Sequence, residues 1–204
     1  MMKEYESFCF EKEPLWDKVP EGKIDCFQWE EKEPFRPQSS FKMCFVKGSG
    51  IFVRMITDEE NPRAVCTKRD EPCYEDSCLE FFFAPFPEEG YFNIEMNPNG
   101  AFLSQFGKGR ENRSFIKELT DVSPAVKKIP LEKGWGVELF VSCELIEKLF
   151  NRPFSASEGD FKGCFFKCGD KTPVPHYGSF VPMGELPPGF HNPQKFAPII
   201  IREI

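Results

Sequence analysis

The stretch YEDSCLEFFFA–PFPEEG–YFNIEMN, residues 74–97, decides how this chain is read. In its first run Leu79, Phe81 and Phe83 alternate with Cys78, Glu80 and Phe82; in its second, Phe92, Ile94 and Met96 alternate with Tyr91, Asn93, Glu95 and Asn97. A period of two marks strands with one apolar face. The Pro/Glu/Gly run between them cannot continue a strand, so the two runs form a hairpin. The pairs 79/96, 81/94 and 83/92 face both apolar sets to one core and set Glu80 opposite Glu95, while a slip of two residues would keep the faces and change the partners. The second face, with its carboxylates, amides and a tyrosine, reads as an outer face. Two carboxylates side by side repel unless something lies between them: a cation, a hydrogen-bonding ligand, or water alone.

Working outward, residues 41–46 and 51–56 make another hairpin around Lys47-Gly48-Ser49-Gly50, with Arg54 in an otherwise apolar row. Short strands are expected at 101–106, 134–141, 163–168 and 197–204. Residues 1–40 read as an edge strand followed by a covering segment, and 107–130 as polar and irregular. Ser142 to Phe150 carries the helix signal: a capping serine, Glu144 in the first turn, and a stripe of Leu145, Ile146, Leu149 and Phe150. Many strands, one short helix near 142–150 and frequent turns predict an all-β, antiparallel, jelly-roll-like β-sandwich. The 24 phenylalanines run from Phe8 to Phe196, which favours a single domain over 1–204.

The net charge of −7 argues against a nucleic-acid partner. No apolar run approaches the ~20 residues that span a bilayer. The start, MMKEYE, has no apolar signal region, and nine scattered cysteines fit reduced packing residues, so a cytoplasmic location is expected.

The chain holds no Cys-x-x-Cys, and on a strand Cys164 and Cys168 stand ~13 Å apart, so no zinc knuckle is read and no metal ligands are assigned. The acids Asp58, Glu59, Glu60, Asp70, Glu71, Glu75 and Asp76 could serve structural calcium but show no twelve-residue calcium loop. There is no Gly-x-Ser-x-Gly elbow, and His176 and His191 lie in Pro/Gly-rich loops. Glu80 and Glu95 could sit at a glycosidase's ~5–10 Å separation. Sugar binding asks less: an aromatic platform and a few planar polar groups. Tyr74, Tyr91 and Tyr177 are candidate platforms, and Glu80, Glu95, Asn93 and Asn97 candidate polar groups.

These motifs resemble those of family 9 carbohydrate-binding modules. Residues 74–82 are similar to their aromatic-x-Asp-Ser-x-Val-Glu-x-Phe strand, and 91–100 to their Tyr-x-x-x-Glu-x-Asn-Pro-x-Gly turn. Trp135-Gly136-Val137-Glu138-Leu139 resembles a later strand, and residues 165–170, 175–179 and 190–193 the closing motifs of a stand-alone branch. The resemblance implies a β-sandwich that clamps a mono- or oligosaccharide between two aromatic side chains, without catalysis. It implies no cofactor beyond structural calcium, and association with a carbohydrate-active enzyme. By position Tyr74 takes the first clamp aromatic, Glu80 the hydrogen-bonding glutamate, and Lys167 a place often held by Arg or Lys. No tryptophan follows Trp135, so Tyr177, Phe190 or His191 would supply the second wall. Two other readings are a sugar hydrolase using Glu80 and Glu95, and a sandwich whose acidic face docks another protein.

Overall fold

The structure is a computed structural model describing residues 3–29, 35–155, 159–184 and 189–203. The hairpin forms as the alternation requires: β6 (Cys78–Ala84) pairs antiparallel with β7 (Tyr91–Met96), and Leu79↔Met96, Glu80↔Glu95, Phe81↔Ile94 and Phe83↔Phe92 are direct partners. On its other side β6 pairs antiparallel with β12 (Phe161–Cys168), and β7 continues into β8 (Phe102–Gly107). The second hairpin is β4 (Ser39–Val46) with β5 (Gly50–Thr57), flanked by β11 (Trp135–Ser142). Apolar rows from these two groups meet in the core. Phe41 stacks on Phe165 with centroids 3.5 Å apart, and Phe45 packs on Phe161 at 5.4 Å and Phe83 at 6.3 Å. Burying such rings contributes roughly 1.5–3 kcal/mol each, which is why the phenylalanine count specifies the interior.

One hydrogen-bonded path joins the groups, and it is mixed rather than antiparallel. β1 (Tyr5–Phe10) lies between β4 and β14 (Ala197–Glu203) and runs parallel to both. The expected edge strand is therefore an inner one. Tyr5 explains the placement: its hydroxyl donates to Pro20 O and accepts from Met43 N, both at 2.8 Å, while its ring packs on Phe41. Ile204, assigned to the last strand from sequence, lies outside the described residues. Residues 107–130 are not irregular, since they hold β9 (Arg113–Phe115), a short helix α1 (Ile116–Leu119) and β10 (Ala125–Ile129). These segments lack a clean two-residue alternation, so their polar composition masked them. The expected helix is α2 (Cys143–Phe150), with Ser142 Oγ accepting from Leu145 N and Asn151 closing it in the left-handed conformation. Its Phe150 ring packs against Phe86 and Phe106.

The polar face of β6 and β7 is covered rather than solvated. Glu80 is 2% exposed, Glu95 4%, and Asn93, Asn97 and Tyr91 are fully buried. The segment around Phe190, His191 and Phe196 lies across it: Phe190 stacks on Phe166 at 4.2 Å, and His191 and Phe196 pack on Phe82. An aromatic layer thus shields one end of this face and leaves a small opening over the carboxyls.

Candidate functional site

Beneath that opening is a pocket of about 210 Å³, whose lining includes Tyr74, Glu80, Glu95, Asp170, Tyr177 and His191. It is smaller than the ~300–1,000 Å³ of drug-sized sites and suits one ring or a chain end. The floor is built by register: Glu80 and Glu95 project side by side from β6 and β7. Cys168 on β12 is the direct partner of Cys78 on β6, and its thiol donates to Glu80 Oε1 at 2.8 Å. Glu95 is aimed from the opposite side. Asn93 Nδ2 donates to Glu95 Oε1 at 2.9 Å, and Asn93 Oδ1 in turn accepts from Arg113 Nη1 at 3.1 Å. Glu95 Oε2 is buried with no hydrogen-bond partner.

The walls come from loops. Tyr74 belongs to a 3-10 turn (Cys73–Glu75) and keeps 39% of its surface exposed. Asp170 N donates to Tyr74 O at 3.1 Å, and Lys171 pairs with Glu75 at 2.8 Å, so the turn and the loop after β12 are strapped together. Tyr177, on β13 (Tyr177–Ser179), hydrogen-bonds Asp170 and meets Phe190 edge-on at 6.3 Å.

Electrostatically the floor is a crowded pair of buried carboxyls. Burial pushes Glu80 well above the ordinary carboxyl range, and the neighbouring Glu95 pushes it further. Burial raises Glu95 to about 7, opposed by Arg113 and the bond from Asn93. Two carboxyls so placed do not both ionise at neutral pH. Asp170 is also raised by burial, although Tyr177 works against this. Burial, with Arg113 and Arg110 nearby, lowers His191 to about 3, so its ring is neutral.

Of the residues singled out from sequence, Tyr74, Glu80, Glu95, Tyr177, Phe190 and His191 line this pocket. Tyr91, Asn93, Asn97 and Lys167 do not. Tyr91 lies beneath, bonded through its hydroxyl to His191 Nδ1 at 2.9 Å, and so orients that ring. Asn97 pins the turn after β7, donating to Cys66 O and Asp76 and accepting from Asn99 N and Ala101 N. Lys167 points into the core on the opposite face of β12. There its ammonium meets Glu59 Oε2 at 3.0 Å, His176 Nε2 at 2.6 Å and Cys168 O at 3.0 Å, which uses all three donors. The alternation of β12 already placed Lys167 with Phe165 on the inner face. Sequence reasoning missed Gln105, Arg110, Arg113, Cys168 and Asp170. Asp170 stood inside a motif that was read, but Arg110 and Arg113 reach the pocket only through the unforeseen β8–β9 pairing.

Most of the acids weighed for calcium have protein partners. Asp58 accepts from Gln38 N, Glu59 binds Lys167, Ser77 and Trp135, and Asp70 pairs with Arg69 and Lys117. Glu71 caps Thr67 N and Lys68 N, and Asp76 accepts from Val65 N and Cys66 N.

Comparison with known proteins follows the same lines. The family model described as Carbohydrate-binding family 9 matches residues 13–201. A crystal structure from Bacteroides uniformis, of a protein proposed to bind carbohydrate, superposes with a TM-score of 0.77 at 23% identity, over 97% of this chain and 99% of that one. A family 9 carbohydrate-binding module from Caldicellulosiruptor kristjanssonii in complex with cellotriose gives 0.65 at 12% identity, covering 98% and 94%. The glucose complex of a family 9 module from that organism gives 0.62 at 11%, covering 98% and 96%. At these identities the likeness is one of fold. No curated protein matches the sequence.

Proposed function

Because the chain belongs to carbohydrate-binding family 9, we propose that its curled sheet is the family's β-sandwich and that the pocket over Glu80 and Glu95 binds one sugar ring without turning it over. The observation that carries this reading is the buried carboxyl pair under a half-exposed tyrosine. Tyr74 offers a stacking face, and Tyr177 and Phe190 stand in for a second wall. Glu80, Glu95, Asp170 and Gln105 supply acceptors and donors for hydroxyls, and the unpaired Glu95 Oε2 gains a partner from a sugar hydroxyl. Cellotriose and glucose, bound by the structural neighbours, are the first ligands to try.

The geometry favours binding over hydrolysis. A glycosidase sets its two carboxyls on either side of the scissile bond. Here both rise from adjacent strands on one floor. The protein-docking reading loses its premise, since the acidic face is covered by the Phe190–Phe196 segment rather than open.

Calorimetry with glucose and cello-oligosaccharides, alongside a reducing-sugar assay, tests the proposal. Tyr74→Ala should weaken binding by roughly ten- to a hundredfold, and Glu80→Gln by up to about tenfold, since burial keeps the Glu80 carboxyl protonated and the bond at stake is a neutral one worth about 0.5–1.5 kcal/mol. Glu95→Gln should act more mildly because it also relieves the repulsion. Turnover in the wild type that vanishes in both glutamate variants would overturn the reading.

A further inference from the structure

The floor of the pocket holds a second arrangement that sugar binding does not require. Cys78 and Cys168 are direct cross-strand partners, and one ligand atom from each of Cys78, Glu80 and Cys168 lies within 4.8 Å of the other two. All three residues are buried, on paired strands in the middle of the sheet. A tetrahedral ion with bonds of about 2.0–2.3 Å holds its ligand atoms roughly 3.5–3.8 Å apart, within that spread. The charge around the cluster points the same way. Two carboxyls and two thiols crowd one floor, with Glu95 Oε2 buried and unpartnered beside them. Of the basic groups nearby, Lys167 faces the core, Arg113 is bonded to Asn93, and Arg110 lines the pocket.

We propose that Cys78, Cys168 and Glu80 form a binding site for one divalent ion of the zinc class, a borderline-soft cation that accepts thiolate and carboxylate together. Cys168 lines the pocket, so the ion reaches the site through it and keeps its fourth position turned toward the opening. Burial holds both sulfurs as thiols at neutral pH, Cys78 with a value raised to about 12. The ion takes the place of those two protons, which leave to solvent, and no oxidation state changes. Coordination by Glu80 also relieves its repulsion with Glu95. This site stands whether or not the pocket takes a sugar.

The test uses the full chain, stripped of metal and kept reduced with a phosphine. Titration with Zn²⁺ should give one tight equivalent with proton release, and Cd²⁺ should raise an ultraviolet thiolate-to-metal charge-transfer band. Losing a ligand should cost more than the ten- to hundredfold typical of supporting residues, so Cys168→Ser and Cys78→Ser should each weaken Zn²⁺ binding by more than about a hundredfold. Cys26→Ser, a half-buried cysteine elsewhere, should leave it unchanged. If the buried substitutions unfold the chain, X-ray absorption on the zinc-loaded wild type decides: it should show two sulfurs near 2.3 Å and an oxygen shell near 2.0–2.2 Å. The proposal is overturned by absence of stoichiometric binding, by a shell of nitrogen and oxygen alone, or by unchanged affinity in both cysteine variants.

Discussion

Lys167 shows how far a side chain's neighbours override its type. Wholly buried, it is bound to Glu59, whose carboxylate also accepts from Ser77 and Trp135. Burial works against the Glu59 charge, but Lys167 and these bonds hold its carboxyl below the ordinary range. Removing one partner strands the other charge, so Lys167→Met should cost about 3–5 kcal/mol in urea unfolding. The double variant with Glu59→Gln should recover a large part of that loss. His176 completes the cluster as a neutral acceptor. Burial and Lys167 lower it to about 4 from the ordinary 6.5, and its Nδ1 donates to Val174 O at 2.9 Å. Below pH 6.5 the unfolded chain takes up a proton that the folded one refuses. Stability from this group is therefore complete above 6.5 and falls as pH drops toward 4, by at most about 3 kcal/mol. Subtracting the unfolding free energies of His176→Gln from those of wild type across that window should isolate the slope. Equal slopes would refute the assignment.

At the scale of elements, α2 is tied at both ends, by Ser142 and by left-handed Asn151. Ser142→Ala should lower the stability of the fold by about 1 kcal/mol without moving the sheet, as thermal unfolding and circular dichroism can check. That helix and the β6–β7 hairpin were legible because each carries its own local signal: a cap with a periodic stripe in one case, alternation around a turn in the other. The two faces of the hairpin were legible, and the register up to a slip of two residues; the structure adopts the one that pairs Glu80 with Glu95. What covers that pair was not, because the Phe190–Phe196 segment has no period and finds its place only by packing on Phe82 and Phe166. The Cys78–Cys168 pairing was hidden for a related reason. Spacing arguments weigh cysteines that are near in sequence, whereas these meet through the β6–β12 ladder. Six of the ten residues singled out from sequence line the pocket, and the four that do not are held beneath or beside it by their hydrogen bonds.

For the molecule as a whole, β1 joins the two groups of strands, bonded to β4 on one side and β14 on the other. Deleting residues 3–10 should remove the bridge and expose Phe41 and Phe165, where Tyr5 packs, lowering the melting temperature by well over the few degrees expected from one surface change. A deletion variant that melts with the wild type would show the bridge to be dispensable. The same strand sets an order of events in time. Tyr5 is paired with Ile199, so β1 waits for β14, which is made far later. A chain emerging from the ribosome can close local hairpins such as β4–β5 and β6–β7 at once. Strand β1, however, keeps one row of peptide groups unpaired until β14 has been synthesised. Until then the nascent molecule carries an open edge, the form in which a partly made sheet is most exposed to pairing with its neighbours on a polysome.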